Sequence, residues 1–214
     1  MSNILRIACG NGNCYLVSNG RDAILVDTCR EKYRQNVLEA CQPFQLRLLM
    51  LTHGHLDHME NAAFLSRSLN IPIAMHQADL DLLKDNLNQS LSAHSILGKI
   101  VLAASIKTFQ MVEHIPEITP TVFLEDGDSL DSYGIPDVKI MGLPGHTNGS
   151  IGLDVAGQDL IVGDALMNMF YPTVSMLYHD KEAMQQSVKR IEKLGPRLIH
   201  FGHGKPVKNR AWLK

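Results

Sequence analysis

The chain has 214 residues, 45% of them hydrophobic, enough for one domain (residues 1–214) with a sizeable core. Its formal net charge is −2 and its only basic stretch is the short segment 205–214, which argues against a nucleic-acid surface. No apolar run reaches the roughly 20 residues of a membrane-spanning helix, and residues 1–3 precede only a short apolar strand, so a cytoplasmic protein with no membrane partner is expected.

Residues 4–8, 14–17 and 23–26 are β-rich and separated by Gly and Asn turns. Residues 31–41 read as a helix that ends before Pro43. Cys9, Cys14, Cys29 and Cys41 all fall in this first quarter, without a CxxC pair, and read as buried free thiols. Residues 46–51, which end in the apolar run 48–51, read as a buried strand. Residues 61–69 resume helix, and 71–75 form another strand. Across 77–117 the apolar spacing suits helices, with Gly98 as a break, so this segment reads as a helical insertion. A place over the active site, a packing role and a dimer contact are all open to it. His94 and His114 within it read as ordinary surface or packed histidines.

From residue 121 the β pattern returns. Glu125-Asp126-Gly127-Asp128 is a turn signal, and 138–143, 150–155 and 160–162 are strands, the last two joined at Gly157. The loop 165–179 is rich in Met, Phe and Tyr, suited either to an apolar substrate cleft or to core beneath it. Tyr171 and Tyr178 are its candidate donors to a developing oxyanion. Residues 181–194 form an amphipathic helix stopped by Gly195-Pro196, and 198–201 is a last apolar strand.

The chemistry is concentrated at strand ends. Directly after 46–51 stands Thr52-His53-Gly54-His55-Leu56-Asp57-His58, with three imidazoles and one carboxylate within six residues. A tight turn lets His53 and His55 face one way and Asp57 and His58 another, which suits two adjacent metal ions. Without a metal, so many crowded polar groups would lack partners. Pro144-Gly145-His146-Thr147, Gly163-Asp164 and Gly202-His203-Gly204 each place another ligand-type residue beside glycine at the end of an apolar segment.

The order HxHxDH, His, Asp, His resembles the signature of the metallo-β-lactamase superfamily, from Asp27 to Pro206. The resemblance implies an α+β fold, a four-layer αββα sandwich of two mixed sheets with helices outside and metals at one edge. It implies one metal on His53, His55 and His146, a second on Asp57, His58 and His203, and Asp164 bridging them. Asp27 matches a position that supports the ligand loops. Met59-Glu60-Asn61 stands where relatives often carry two glycines, so the local helix start differs. Asp164 in place of cysteine argues against antibiotic hydrolysis, and His55 in place of Glu argues against the flavodiiron branch.

The ligand set resembles the glyoxalase II branch. That implies a dinuclear hydrolase holding two divalent cations, zinc first with iron or manganese as alternatives, acting on a small-molecule thioester, lactone or other ester. Asp57 would be the catalytic residue, orienting the attacking water or accepting its proton. Three other readings stand beside it: a persulfide dioxygenase with one iron on His53, His146 and Asp164, a metal-dependent nuclease, and a non-catalytic metal-binding protein.

Overall fold

The computed structural model describes residues 2–111, 115 and 117–213; His114 lies outside the described residues. From the N-terminus come β1 (Asn3–Cys9), β2 (Gly12–Ser18), β3 (Asp22–Val26), α1 (Arg34–Cys41) and β4 (Gln45–Met50). The short α2 (Leu56–Met59) and α3 (Ala62–Leu69) lead to β5 (Ile73–Met75). Next are β6 (Ser92–Ala93), α4 (Ile96–Gln110) and β7 (Val122–Phe123). The second half holds β8 (Val138–Gly142), β9 (Ile151–Val155), β10 (Asp159–Ile161), β11 (Leu166–Met167), β12 (Thr173–Val174) and β13 (Leu177–Tyr178). It closes with α5 (Lys181–Lys193), β14 (Leu198–His200) and β15 (Val207–Lys208).

Two mixed sheets result, ordered β1-β2-β3-β4-β5-β7 and β15-β14-β10-β9-β8. Period-2 alternation sends successive apolar residues to opposite faces, and both faces are buried. Ile24, Val26, Leu48 and Met50 of the first sheet meet Ile140, Leu153 and Ile161 of the second. On the other face of the first sheet, Leu25 and Leu49 pack with Val37 of α1 and Ala62 and Leu65 of α3. Leu160 and Ile199 of the second sheet pack with Met184, Val188 and Ile191 of α5. Three apolar interiors between four layers make the expected αββα sandwich. Each fully buried Leu or Ile contributes about 1.5–3 kcal/mol, which is what holds the sheets and helices in register.

Several local readings are corrected. The helix expected from residue 31 opens as a 3-10 turn, Glu31–Tyr33, before α1. The segment 77–117 is only partly α-helical: a 3-10 run over Gln77–Leu83 and the strand β6 precede α4. Gly98 does not break a helix. It sits in the first turn of α4, where its N–H donates to the capping Ser95 Oγ at 3.0 Å. A Cβ there would meet the Met176 carbonyl at 2.9 Å, so the glycine admits close approach of the 165–179 loop. Among the described residues, no helix is long and apolar enough to cross a membrane.

Candidate metal centre

Five strands of the sandwich deliver the candidate ligands and their support to one edge. Asp27 follows β3, His53 follows β4, His146 follows β8, Asp164 follows β10 and His203 follows β14. Loops at strand ends can turn side chains inward without breaking a ladder, and here they do so. His53, His55 and His146 form one group whose ligand-type atoms lie within 4.8 Å of one another, and Asp57, His58 and His203 form another.

The Asp164 carboxylate lies between them. Its Oδ2 is 3.8 Å from His146 Nε2 and 3.2 Å from His203 Nε2, and its Oδ1 is 3.6 Å from His58 Nε2. His55 Nδ1 is 3.0 Å from His146 Nε2, and His203 Nε2 is 3.4 Å from Asp57 Oδ2. A tetrahedral cation with bonds of about 2.0–2.1 Å spaces its ligands about 3.3 Å apart, so these edges match a metal's coordination polyhedron. Hydrogen bonding supports the same fit. Among the described residues, six buried side-chain polar atoms lack a hydrogen-bond partner, and three of them face this centre: Nε2 of His53 and His58, and Asp164 Oδ1; a fourth, His55 Nε2, is on the other side of the ring from the Nδ1 that faces His146. Such groups are costly to bury unless something coordinates them. The donor set is imidazole and carboxylate, which suits zinc, iron or manganese.

The outward ring nitrogens are held as a metal site requires. His58 Nδ1 is 2.9 Å from Asp27 Oδ2, His146 Nδ1 is 3.0 Å from the Leu177 carbonyl, and His203 Nδ1 is 3.0 Å from the Asn11 carbonyl. Thr52 Oγ1 donates to Asp27 Oδ2 at 2.8 Å and lies 3.0 Å from His53 Nδ1. Asp27 Oδ1 also accepts the Thr52 N–H at 2.8 Å. Asp27 takes a left-handed φ of 59° to reach both loops, a conformation Asp tolerates better than most residues. Gly202 supplies the close approach on the far side: a Cβ there would run into Asp164 Oδ1 and sit 2.7 Å from His58 Cε1.

Charge divides the histidines. Burial, with His58 and His55 adding repulsion, holds His53 well below the ordinary imidazole range. Burial followed by His146 brings His55 to about 3. His58 is also penalised by burial, but Asp27, Asp164 and Asp57 together outweigh that and raise it to about 9. His203 is raised likewise, burial being overcome by Asp164 and Asp57. For the metal-free chain the signs oppose. The stability that neutral His53 and His55 contribute is complete above the free value of 6.5 and is lost as pH falls below it, toward about 3 for His55. That from charged His58 and His203 is complete below 6.5 and is lost as pH rises above it, through about 9 for His58. Chelator-treated protein should therefore melt highest near pH 6.5 and lower at pH 5 and pH 8.5. A melting temperature that climbs steadily from pH 6.5 to 9 would contradict this.

Two cavities meet at Asp57, which is partly exposed between them. One, of about 370 Å³, is walled by Ile100, Val101, Ala104 and Phe109 of α4 and by Met169 and Phe170. The other, of about 250 Å³, is lined by Arg30, Lys32, Tyr33 and His203 among others. Phe109 also stacks on His55, with ring centroids 5.7 Å apart. Helix α4 thus borders the centre, and the 165–179 loop divides: Met169 and Phe170 face the cavity while Leu166, Met167 and Met176 are core.

Neither candidate tyrosine is among the residues lining the two cavities at Asp57. Tyr171 lines a separate cavity of about 540 Å³ with Arg210 and Trp212, where none of the candidate ligands lie. Tyr178 stacks on His94 at 6.1 Å. Three positioning residues escape a reading of the sequence. Besides Thr52, fully buried Asp79 accepts from Gly54 N–H, Thr147 Oγ1 and Gly149 N–H, tying the His53–His55 loop to the His146 loop. Asn86 accepts the Leu56 N–H at 2.7 Å and donates to the Gly54 carbonyl at 2.9 Å.

The family profile described as the metallo-beta-lactamase superfamily matches residues 7–203. A protein of Aquifex aeolicus is 25% identical over 196 residues, covering 89% of this chain and 83% of its own. A protein of Bacillus subtilis described as a probable metallo-hydrolase is 23% identical over 195 residues, covering 90% and 84%. A solved structure in a di-iron-bound form superposes with a TM-score of 0.67 at 24% identity, covering 96% of this chain and 94% of its own.

Proposed function

The chain belongs to the metallo-β-lactamase superfamily, and from that membership we propose a metal-dependent hydrolase of small-molecule esters or thioesters. The observation that carries the reading is the convergence of six histidine and aspartate side chains about Asp164, with Nε2 of His53 and His58 and Oδ1 of Asp164 itself otherwise unpartnered. His53, His55 and His146 would hold one divalent cation, Asp57, His58 and His203 a second, and Asp164 both. The Bacillus subtilis relative is described as a probable metallo-hydrolase, and the di-iron form of the structural neighbour supports iron beside zinc as the occupant.

Cations so held lower the pKa of water toward neutrality and polarise a carbonyl. The chain does the rest. In the metal-free chain His58 and His203 outweigh the cost of burying Asp57 and hold its carboxyl below the usual range. Its place on both cavities, rather than that shift, would let it orient an attacking water or accept its proton. The apolar wall of α4 with Met169 and Phe170 suits an acyl chain, and Arg30 and Lys32 across Asp57 suit an anionic leaving portion.

Protein loaded in turn with zinc, iron and manganese should hydrolyse S-lactoylglutathione, a longer acyl thioester or a lactone. Asp57→Ala should lower turnover about 100- to 10,000-fold, the range of general acid–base contributions. Equal rates for the two proteins would remove the role of Asp57. One iron per chain, with oxygen uptake on a glutathione persulfide and no hydrolysis, would replace the hydrolase by a dioxygenase.

A further inference from the structure

Three of the four cysteines form a cluster that the metal centre does not use. Cys14 Sγ lies 3.1 Å from Cys29 Sγ and 4.0 Å from Cys9 Sγ, and all three are free and buried. Cys9 and Cys29 are among the residues lining the 250 Å³ cavity that also borders Asp57 and His203, so a small solute in that cavity meets both residues. Cys29 holds a left-handed φ of 55°, a conformation cysteine seldom adopts, and this aims its sulfur at Cys14. A shared cation is the poorer explanation. Three thiolates at about 2.3 Å from one metal stand about 3.8–4.0 Å apart, which the 3.1 Å edge undercuts. A disulfide, with sulfurs about 2.05 Å apart, needs that edge to close by about 1 Å.

We propose that this cluster is a peroxide-reactive modification site in which Cys9 meets the oxidant and Cys14 and Cys29 end as a disulfide. The Cys9 thiolate attacks one oxygen of hydrogen peroxide; the O–O bond breaks, leaving a sulfenic acid and hydroxide. The Cys14 thiol, 4.0 Å from Cys9 Sγ, is the neighbour that can donate to that thiolate and lower the Cys9 pKa. Cys14 then attacks the Cys9 sulfur, the S–O bond breaks, and the hydroxyl leaves as water with the Cys14 proton. The Cys29 sulfur displaces Cys9 from Cys14, regenerating the Cys9 thiolate, and its proton turns the earlier hydroxide into water. Two thiols are oxidised and one peroxide is reduced to two waters.

The product reaches the ligand loop through Thr28. Its N–H and Oγ1 both donate to the His58 carbonyl, at 2.7 and 2.9 Å, and the neighbouring Cys29 carbonyl accepts from Asn61. This consequence rests on the proposed metal assignment; the disulfide itself does not. The test is stoichiometric peroxide on the folded full chain, then alkylation and peptide mass mapping. The expected result is a Cys14–Cys29 link with Cys9 and Cys41 alkylated, formation at least tenfold slower in Cys9→Ser, and arrest at a Cys9–Cys14 link in Cys29→Ser. Full alkylation of Cys14 and Cys29, or Cys9 advancing to sulfinic acid without a link, would overturn the proposal. So would copper or zinc that co-purifies with the chain, survives His203→Ala and is lost in Cys29→Ser. Oxidised protein should also release its metal to a chelator several-fold faster than reduced protein, and equal rates would overturn the link to His58.

Discussion

Asp164→Ala should leave at most about one firmly held metal per chain and reduce turnover by at least about a hundredfold. The bound follows from position. Replacing an outer partner of a metal-bound histidine typically costs about 10- to 100-fold in affinity or activity. Asp164 is no outer partner: its two oxygens lie within 3.8 Å of His58, His146 and His203, so it touches both candidate ligand groups. Against a large burial penalty, His203 first, then His58 and His146, hold its carboxyl well below the ordinary range, so it is charged at every working pH. Alanine removes the one anion shared by the two groups and opens space between them. Asn keeps the shape without the charge and should retain more metal than Ala, with turnover still depressed. Elemental analysis and hydrolysis rates on the same preparations test this. Two metals per chain retained in Asp164→Ala at full turnover would mean that the two groups do not share a bridging carboxylate.

The sandwich and the gathering of the candidate ligand residues at one edge were legible because each rests on a short-range pattern. Apolar runs such as 48–51 and 138–143 announce buried strands whichever partner they find, and ligand-type residues immediately after them mark strand ends on one edge. Thiol chemistry was not legible in this way: Cys9, Cys14 and Cys29 lack a spacing motif, and only the pairing of β1 with β2 and the turn after β3 bring them together. Tyr171 shows the opposite case: it lies close in sequence to Asp164, but the β11–β12 ribbon folds the chain back and carries it to another cavity. Gly98 looked like a breaker because helix propensity records its backbone entropy and not the Met176 carbonyl packed against it.

Asp79 shows where such reading ends, and its replacement should give the largest loss of stability. It lies in the 3-10 run Gln77–Leu83, 22 residues beyond Asp57, with nothing in its neighbours to separate it from a solvated surface acid. In the fold it is completely buried and accepts from Gly54 N–H, Thr147 Oγ1, Gly149 N–H and Gln89 Nε2. Asp79→Ala strands those four neutral donors without solvent, at about 1–3 kcal/mol for each one left unsatisfied. For a chain of this size that is a fall in melting temperature on the order of 10 °C. Asp79→Asn keeps the size but turns an amide N–H₂ toward backbone donors, so it should lose less than Ala and still fall short of the parent. The two loops that Asp79 joins carry His53, His55 and His146, so metal retention at that group should fall with stability, while the Asp57, His58 and His203 group is affected less. Calorimetry with metal analysis on both variants checks this; an Asp79→Ala protein that melts within 2 °C of the parent would show that the network is not what holds the loops together.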